Sequence, residues 1–375
     1  MEYVGVILNY GDGDIICQGI RVPVTPQSKP RSRGESGERA HDLGMGASED
    51  RVSMKNPWKE VFTKSLSNPI IGPNPDNYWE AYQTFNPGAI ILAERIHIVY
   101  RALGVDWISR FGYASSSNGI TIDERLSYPV YQSSVDGNAL SISGGGFGGC
   151  EDPRLVAIDD VVYMTYNIFD SRGLRVGLTS IHVKDFLSKR WRWSEERIIS
   201  NPGKINKNFV LFPEKVDGRY AILHSISPRI QIAYLDDLRF DSYIESYYEA
   251  CSYPGGWELV VKGAGGPPIK TGEGWLLFYH GLDRNEPWKY KIGLMLLDLD
   301  RPERIIYRAG SPVIEADQWY EYEGFKPGIT YTCGAVLKNR ELLVYYGAAD
   351  KYVCMAEAPL DLVLDTLKRY SVRQG

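Results

Sequence analysis

The apolar residues of this chain fall in short runs rather than in helical stripes. Beyond Lys64, stretches of Val, Ile, Leu, Tyr and Phe alternate with Gly, Pro, Asn and Asp, the texture of strands joined by tight turns. Five runs repeat one plan, an apolar strand ending in an aromatic or histidine pair: Ile96–Arg101, Val161–Asn167, Tyr220–Ser225, Trp275–His280 and Leu342–Gly347. Each is followed by a partner: Phe111–Ser115, Val176–Ser180, Ile230–Tyr234, Ile292–Leu296 and Tyr352–Ala356. The spacing is roughly 55 to 65 residues, room for a four-stranded blade with long loops.

The repeat predicts an all-β chain folded as a five-bladed β-propeller, because radial repetition leaves only short, protected sheet edges. Five unrelated hairpins in two sandwich domains are the competing arrangement. In a propeller, equivalent strand ends converge on the axis, so Arg101, Asn167, Ser225, His280 and Asp350 are expected to be neighbours despite their distant numbers. Helical periodicity is weak except over Leu360–Tyr370, read as a short closing helix. Thr25–Pro57 is rich in Ser, Arg, Gly, Glu, Pro and Lys and nearly lacks periodic apolar residues, a composition that does not offset its ordering entropy. Residues 1–64 are therefore expected to form a poorly ordered, partly disordered N-terminal extension, and residues 65–375 the propeller.

Composition narrows the partners. A hydrophobic content of 43% supplies a large core, and 26 Tyr with 9 Trp suit strands and offer apolar platforms for sugar rings. A net charge of −5 with no long Lys/Arg run argues against nucleic acid or an anionic membrane surface. A small-molecule ligand is expected instead. No apolar stretch has the length of a membrane span, and the first residues lack a signal-peptide pattern, so a cytoplasmic location is expected. Cys17, Cys150, Cys251, Cys333 and Cys354 are scattered and in no metal spacing, which implies reduced thiols, no metal site and no cofactor. Assembly into a homo-oligomer is compatible with the sequence.

The segment Gly148–Leu155 carries candidate chemistry. Pro153 disfavours a helical Asp152, and an extended chain would put Asp152 and Arg154 on one face with Glu151 on the other. A carboxyl group beside a guanidinium fits a structural ion pair and an acid-and-anion site alike. The glycines before it, Gly144–Gly146 and Gly148–Gly149, would let a ligand approach the backbone.

Taken with other motifs in order, this segment resembles the β-mannoside phosphorylases of glycoside hydrolase family 130, which are five-bladed propellers. The motifs are Trp79-Glu80 with Phe85-Asn86-Pro87-Gly88, Tyr100-Arg101-Ala102, Glu151-Asp152-Pro153-Arg154 and Lys207-Asn208 with Leu211-Phe212-Pro213-Glu214-Lys215. They continue with Gly263–Pro268, Gly274-Trp275-Leu276 with Tyr279-His280-Gly281, Leu297-Asp298, Tyr322-Glu323-Gly324 and Tyr345–Asp350. The resemblance implies Asp152 as the one catalytic acid, Arg101, Arg154, Lys207 and His280 as phosphate ligands, and Asn86, His224 and Asp350 as mannose contacts. It also implies inorganic phosphate as co-substrate and inversion at the anomeric carbon, with the proton relayed through the mannose 3-hydroxyl. Phosphate is already anionic, so no second carboxylate is needed to activate water. Ser225 stands where the family commonly has Arg, which puts acceptor specificity in doubt. Two rivals remain: a β-mannosidase using Glu273 or Glu323 as base, and a non-catalytic sugar-binding propeller.

Overall fold

The computed structural model describes residues 15–17, 20–22, 56–134, 146–246, 248 and 251–372. The chain divides into two units, Met1–Asn56 and Pro57–Gly375. In the first, Ile15–Cys17 and Ile20–Val22 pair antiparallel, Ile15 opposite Val22. The disorder expected over Thr25–Pro57 falls, as far as residue 55, outside the described residues.

The second unit is five antiparallel sheets taken in chain order, the five blades of a propeller. The first blade is Gln83–Leu92, Arg95–Leu103, Arg110–Ser116 and Glu124–Arg125. Gly149–Ile158, Val161–Asp170, Gly173–His182 and Arg197–Ile198 form the second, and Val210–Leu211, Tyr220–Ser225 and Gln231–Leu235 the third. The fourth has Glu258–Ala264, Trp275–Asp283, Tyr290–Leu297 and Ile305–Arg308, with Ile269–Lys270 also paired to its second strand. The fifth is Thr330–Lys338, Glu341–Ala348, Tyr352–Pro359 and, from the start of the unit, Thr63–Lys64. The repeat strands read from the sequence are the second strand of each blade, and their partners the third.

Thr63 and Lys64 pair with Glu357 and Ala356, so residues ahead of the expected boundary at 65 complete the last blade. Lys64 anchors this closure through the Glu321 carboxylate at 2.7 Å.

Apolar runs without polar alternation follow from burial of both blade faces. Leu276 and Phe278 face the fifth blade with Leu342 and Val344, whereas Leu277 and Tyr279 face the third with Phe212 and Leu223. Similar clusters fill the other three interfaces between adjacent blades, so the core is a ring of five wedges. The helix Leu360–Arg369 buries Leu360, Val363, Leu364 and Leu367, one face at helical spacing, against the fourth and fifth blades.

Near the axis the innermost strands come close, and glycine permits it. A Cβ on Gly88 would lie 2.4 Å from the Pro153 carbonyl oxygen of the next blade, and one on Gly334 would lie 2.2 Å from the Ala89 nitrogen. Bulges interrupt four innermost strands, between Phe85 and Gly88, Glu151 and Arg154, Val261 and Gly263, and Thr332 and Gly334. A bulge adds an unpaired residue and re-aims its side chain.

Candidate active site

The bulges build the site. Asn86 and Asp152 occupy those of the first and second blades, each just before a proline, with φ of 46° and 57°. Asn208 and Asp350 are also left-handed, at 62° and 51°. Asn and Asp tolerate this region better than other side-chain-bearing residues, and strain of this kind gathers where the surrounding structure holds functional groups in place.

This geometry overturns the extended Asp152 expected from Pro153. Because the strand bulges, Glu151 and Asp152 do not point to opposite faces: Arg101 lies 2.7 Å from Glu151 Oε1 and 3.7 Å from Asp152 Oδ1. Asp152 also accepts hydrogen bonds from Asn86 Nδ2 at 2.8 Å and Asn167 Nδ2 at 3.3 Å. Burial pushes the Glu151 carboxyl up to about 7, opposed by Arg101 and reinforced by the Asp152 charge. Glu151 therefore holds a proton far closer to neutrality than an ordinary carboxylate does. The glycine run serves backbone packing where it is described: a Cβ on Gly149 would meet Ser109 O at 2.3 Å.

Arg154 is buried and makes no carboxylate ion pair among the described residues. Its guanidinium donates to Gly265 O at 2.6 Å, Asp152 O at 2.7 Å and Asn208 Oδ1 at 2.9 Å. Asn208 is a hub: the same oxygen accepts from Tyr331 Oη at 3.0 Å and Asn167 Nδ2 at 3.3 Å. Lys207, one residue earlier, lies 4.6 Å from the centre of the Tyr248 ring. Burial lowers it to about 8, while Asp152 pulls the other way.

His280 stacks on Tyr331 with ring centres 3.6 Å apart and planes 11° apart. Its Nε2 is taken by the Thr332 backbone, with the carbonyl oxygen at 2.7 Å, and its buried Nδ1 has no hydrogen-bond partner among the described residues. Burial, then Arg154, holds its pKa well below the ordinary value, so His280 is a neutral ring. Asn86 Oδ1 is likewise buried and unpartnered. Such atoms are rare and costly in native interiors, and each is a place where a polar ligand can bond.

Asp350 pairs with Lys326 at 2.9 Å, and its charge reaches Arg101 and Glu151. His224 stands apart from Asp152. It bonds Ser246 Oγ at 2.9 Å, is held near 4 by burial, and lines a small cavity with Lys207, Ser225, Ser227 and Tyr248. Of the residues expected to converge, Arg101 and Asn167 meet at Asp152, His280 joins through Tyr331 and Asn208, and Ser225 lies on the Lys207 side.

Sequence reasoning passed over Glu151, Asn208, Tyr331, Lys326 and Lys262 as site residues. Asn208 and Glu151 sat inside quoted motifs. Lys262 immediately precedes a motif glycine and occupies the fourth-blade bulge, but nothing local signals that a bulge forms there. Glu273 and Glu323, the bases a hydrolase would need, are both in surface ion pairs, with Lys368 and Lys351. Asp298 accepts from the backbone of Asp300 and Arg301, a turn role. Among the described residues no His, Cys, Asp or Glu cluster suits a metal.

A propeller that sets an acidic pair beside Arg154 and Lys207, neither with a carboxylate ion pair among the described residues, defines a class: an enzyme-like site for a small anion next to a polar ligand. The chain belongs to glycoside hydrolase family 130, whose sequence pattern, described as β-1,4-mannooligosaccharide phosphorylase, matches residues 48–369. It is 36% identical over 305 residues to the 1,2-β-oligomannan phosphorylase of Thermoanaerobacter sp. (strain X514), covering 78% of this chain and 96% of that protein. It is 33% identical over 308 residues to the β-1,2-mannobiose phosphorylase of the same organism, with 78% and 96% covered. The fold is shared with the β-1,2-mannobiose phosphorylase from Listeria innocua in complex with β-1,2-mannobiose, at TM-score 0.65 and 22% identity over 82% of this chain and 99% of that one.

Proposed function

We propose that the protein is an inverting β-mannoside phosphorylase, converting a β-mannoside and inorganic phosphate into α-mannose 1-phosphate and a shortened acceptor. One observation carries this reading: Arg154 and Lys207 stand beside Asp152 with no carboxylate ion pair of their own among the described residues. An uncompensated guanidinium and ammonium call for an exogenous anion, and phosphate matches both, bidentately for Arg and as a point charge for Lys.

In the reaction, a phosphate oxygen attacks the anomeric carbon from the face opposite the glycosidic oxygen. The carbon–oxygen bond to the acceptor breaks, and the proton of Asp152 reaches the departing oxygen through the mannose 3-hydroxyl. Arg101, Arg154 and Lys207 hold the phosphate, and the Nδ1 of neutral His280, whose Nε2–H donates to Thr332 O, accepts from a protonated phosphate oxygen. Asn86, Asp350 and, from the other side, His224 hold the sugar. The neighbouring Glu151, pushed up to about 7 by burial and opposed by Arg101, holds a proton beside Asp152 close to neutrality. Both Thermoanaerobacter relatives carry β-1,2 linkages in their names, which supports β-1,2-linked mannosides as the first substrates to try.

The test incubates the protein with β-1,2-mannobiose or β-1,4-mannobiose, with and without phosphate, and measures mannose 1-phosphate against free mannose. The reading requires mannose 1-phosphate formed only with phosphate present. Equal release of free mannose without it would make the protein a hydrolase, and binding without turnover a sugar-binding propeller.

A further inference from the structure

We propose that Lys262 is a phosphate ligand of this site, a second lysine opposite Lys207 that completes the anion cradle; the inference rests on the phosphorolysis reading. Lys262 is the extra residue of the fourth-blade bulge, where its neighbours Val261 and Gly263 pair with Gly281 and His280. The equivalent interruptions in the first and second blades hold Asn86 and Asp152. Two groups assigned to phosphate, His280 and Lys207, lie near Lys262, and a third, Arg154, is linked through Asn208. His280 is its cross-strand neighbour, its carbonyl oxygen accepts from Asn208 Nδ2 at 3.2 Å, and Asn208 in turn receives Arg154. Its ammonium shares the Tyr248 ring with Lys207, at 5.5 Å, and lies 5.6 Å from the Tyr290 ring.

The side chain is buried at 3% exposure, yet no carboxylate pairs with it among the described residues. Aromatic faces soften the loss of hydration but do not neutralise the charge. A buried lysine in such a place either gives up its proton or meets an anion from outside. Burial, with Lys207 and Lys326 adding repulsion, holds Lys262 well below its ordinary pKa. Counted together, Arg101, Arg154, Lys207, Lys262 and Lys326 face Glu151, Asp152 and Asp350, five basic groups against three acidic. The basic groups outnumber the acidic ones, so the arrival of a phosphate dianion should draw protons onto the lysines.

The experiment compares the wild type with Lys262→Met and Lys262→Gln, the second keeping a polar end should the first fail to fold. The KM for inorganic phosphate and for β-mannobiose is measured in each. Isothermal titration of phosphate in buffers of different ionisation enthalpy counts the protons taken up. Removing a charge-assisted contact should raise the phosphate KM by about 10-fold to 100-fold, with a far smaller change in the mannoside KM, and should reduce proton uptake. A phosphate KM within about twofold of wild type in the folded variants would overturn the inference and leave phosphorolysis standing. A wild type indifferent to phosphate would remove phosphorolysis itself, and the role of Lys262 with it.

Discussion

Replacing Asp152 with Asn separates proton donation from every other service the residue performs. The backbone at φ 57° suits Asn as well as Asp, so the bulge should survive. Asn keeps one oxygen for the Asn86 donor at 2.8 Å, while Arg101, at 3.7 Å from Asp152, retains its closer partner Glu151 at 2.7 Å. The cost is one mismatched donor near Asn86 or Asn167, about 1–2 kcal/mol of stability. Alanine would be a poorer probe, because it leaves Asn86 Nδ2 unpaired and favours the left-handed region less. Loss of a general acid costs about 10²–10⁴ in rate, or about 2.7–5.4 kcal/mol of barrier at 1.36 kcal/mol per decade. The assay is phosphorolysis of mannobiose beside phosphorolysis of dinitrophenyl β-mannoside, whose leaving group departs without a proton. Asp152→Asn should lose the full factor on mannobiose and less than about tenfold on the activated substrate. Wild-type turnover of mannobiose would refute the acid assignment. Equal losses on both substrates would show that Asp152 positions the sugar instead.

Other predictions follow from the surrounding structure. Lys207 is charged below about 8 and neutral above it, so phosphate affinity should fall as pH rises through that value; the phosphate KM measured from pH 6.5 to 9.5 checks this. Glu258 and Arg308 form a buried ion pair at 3.0 Å to which Tyr279 also donates, far along the fourth blade from the acid. Glu258→Ala strands the guanidinium and should cost about 3–5 kcal/mol in chemical denaturation. Gly334→Ala puts a methyl group 2.2 Å from the Ala89 nitrogen, rigid backbone of the next blade, and should destabilise by about 1–3 kcal/mol, read as a lowered Tm.

Much of this architecture was legible in the chain. The recurrence of strands such as Trp275–His280 is a local pattern, and the need to bury both faces of each sheet turns five such units into a closed ring. Asp152, Arg101 and Arg154 entered as site residues only through motifs that resemble the family's, since an Asp-x-Arg segment by itself fits a structural ion pair as well as a site. The closing helix was likewise carried by the spacing of Leu360, Val363, Leu364 and Leu367.

Only the tertiary structure decided how those groups face one another. Pro153 argued for an extended Asp152, but packing of the first two blades at Gly88 goes with a bulge, which turns Glu151 and Asp152 together toward Arg101. The charge state of His280 depends on burial beneath Tyr331, a residue 51 positions later in the chain. Lys262 carries no signal of its own in the sequence, because a lysine before a glycine is ordinarily a solvated turn. It becomes chemistry only when the fourth-blade bulge sets it against His280, Asn208 and Tyr248. Pairing and periodicity are properties of neighbours in sequence, whereas ionisation and ligand geometry are set by groups that meet only once the ring has closed.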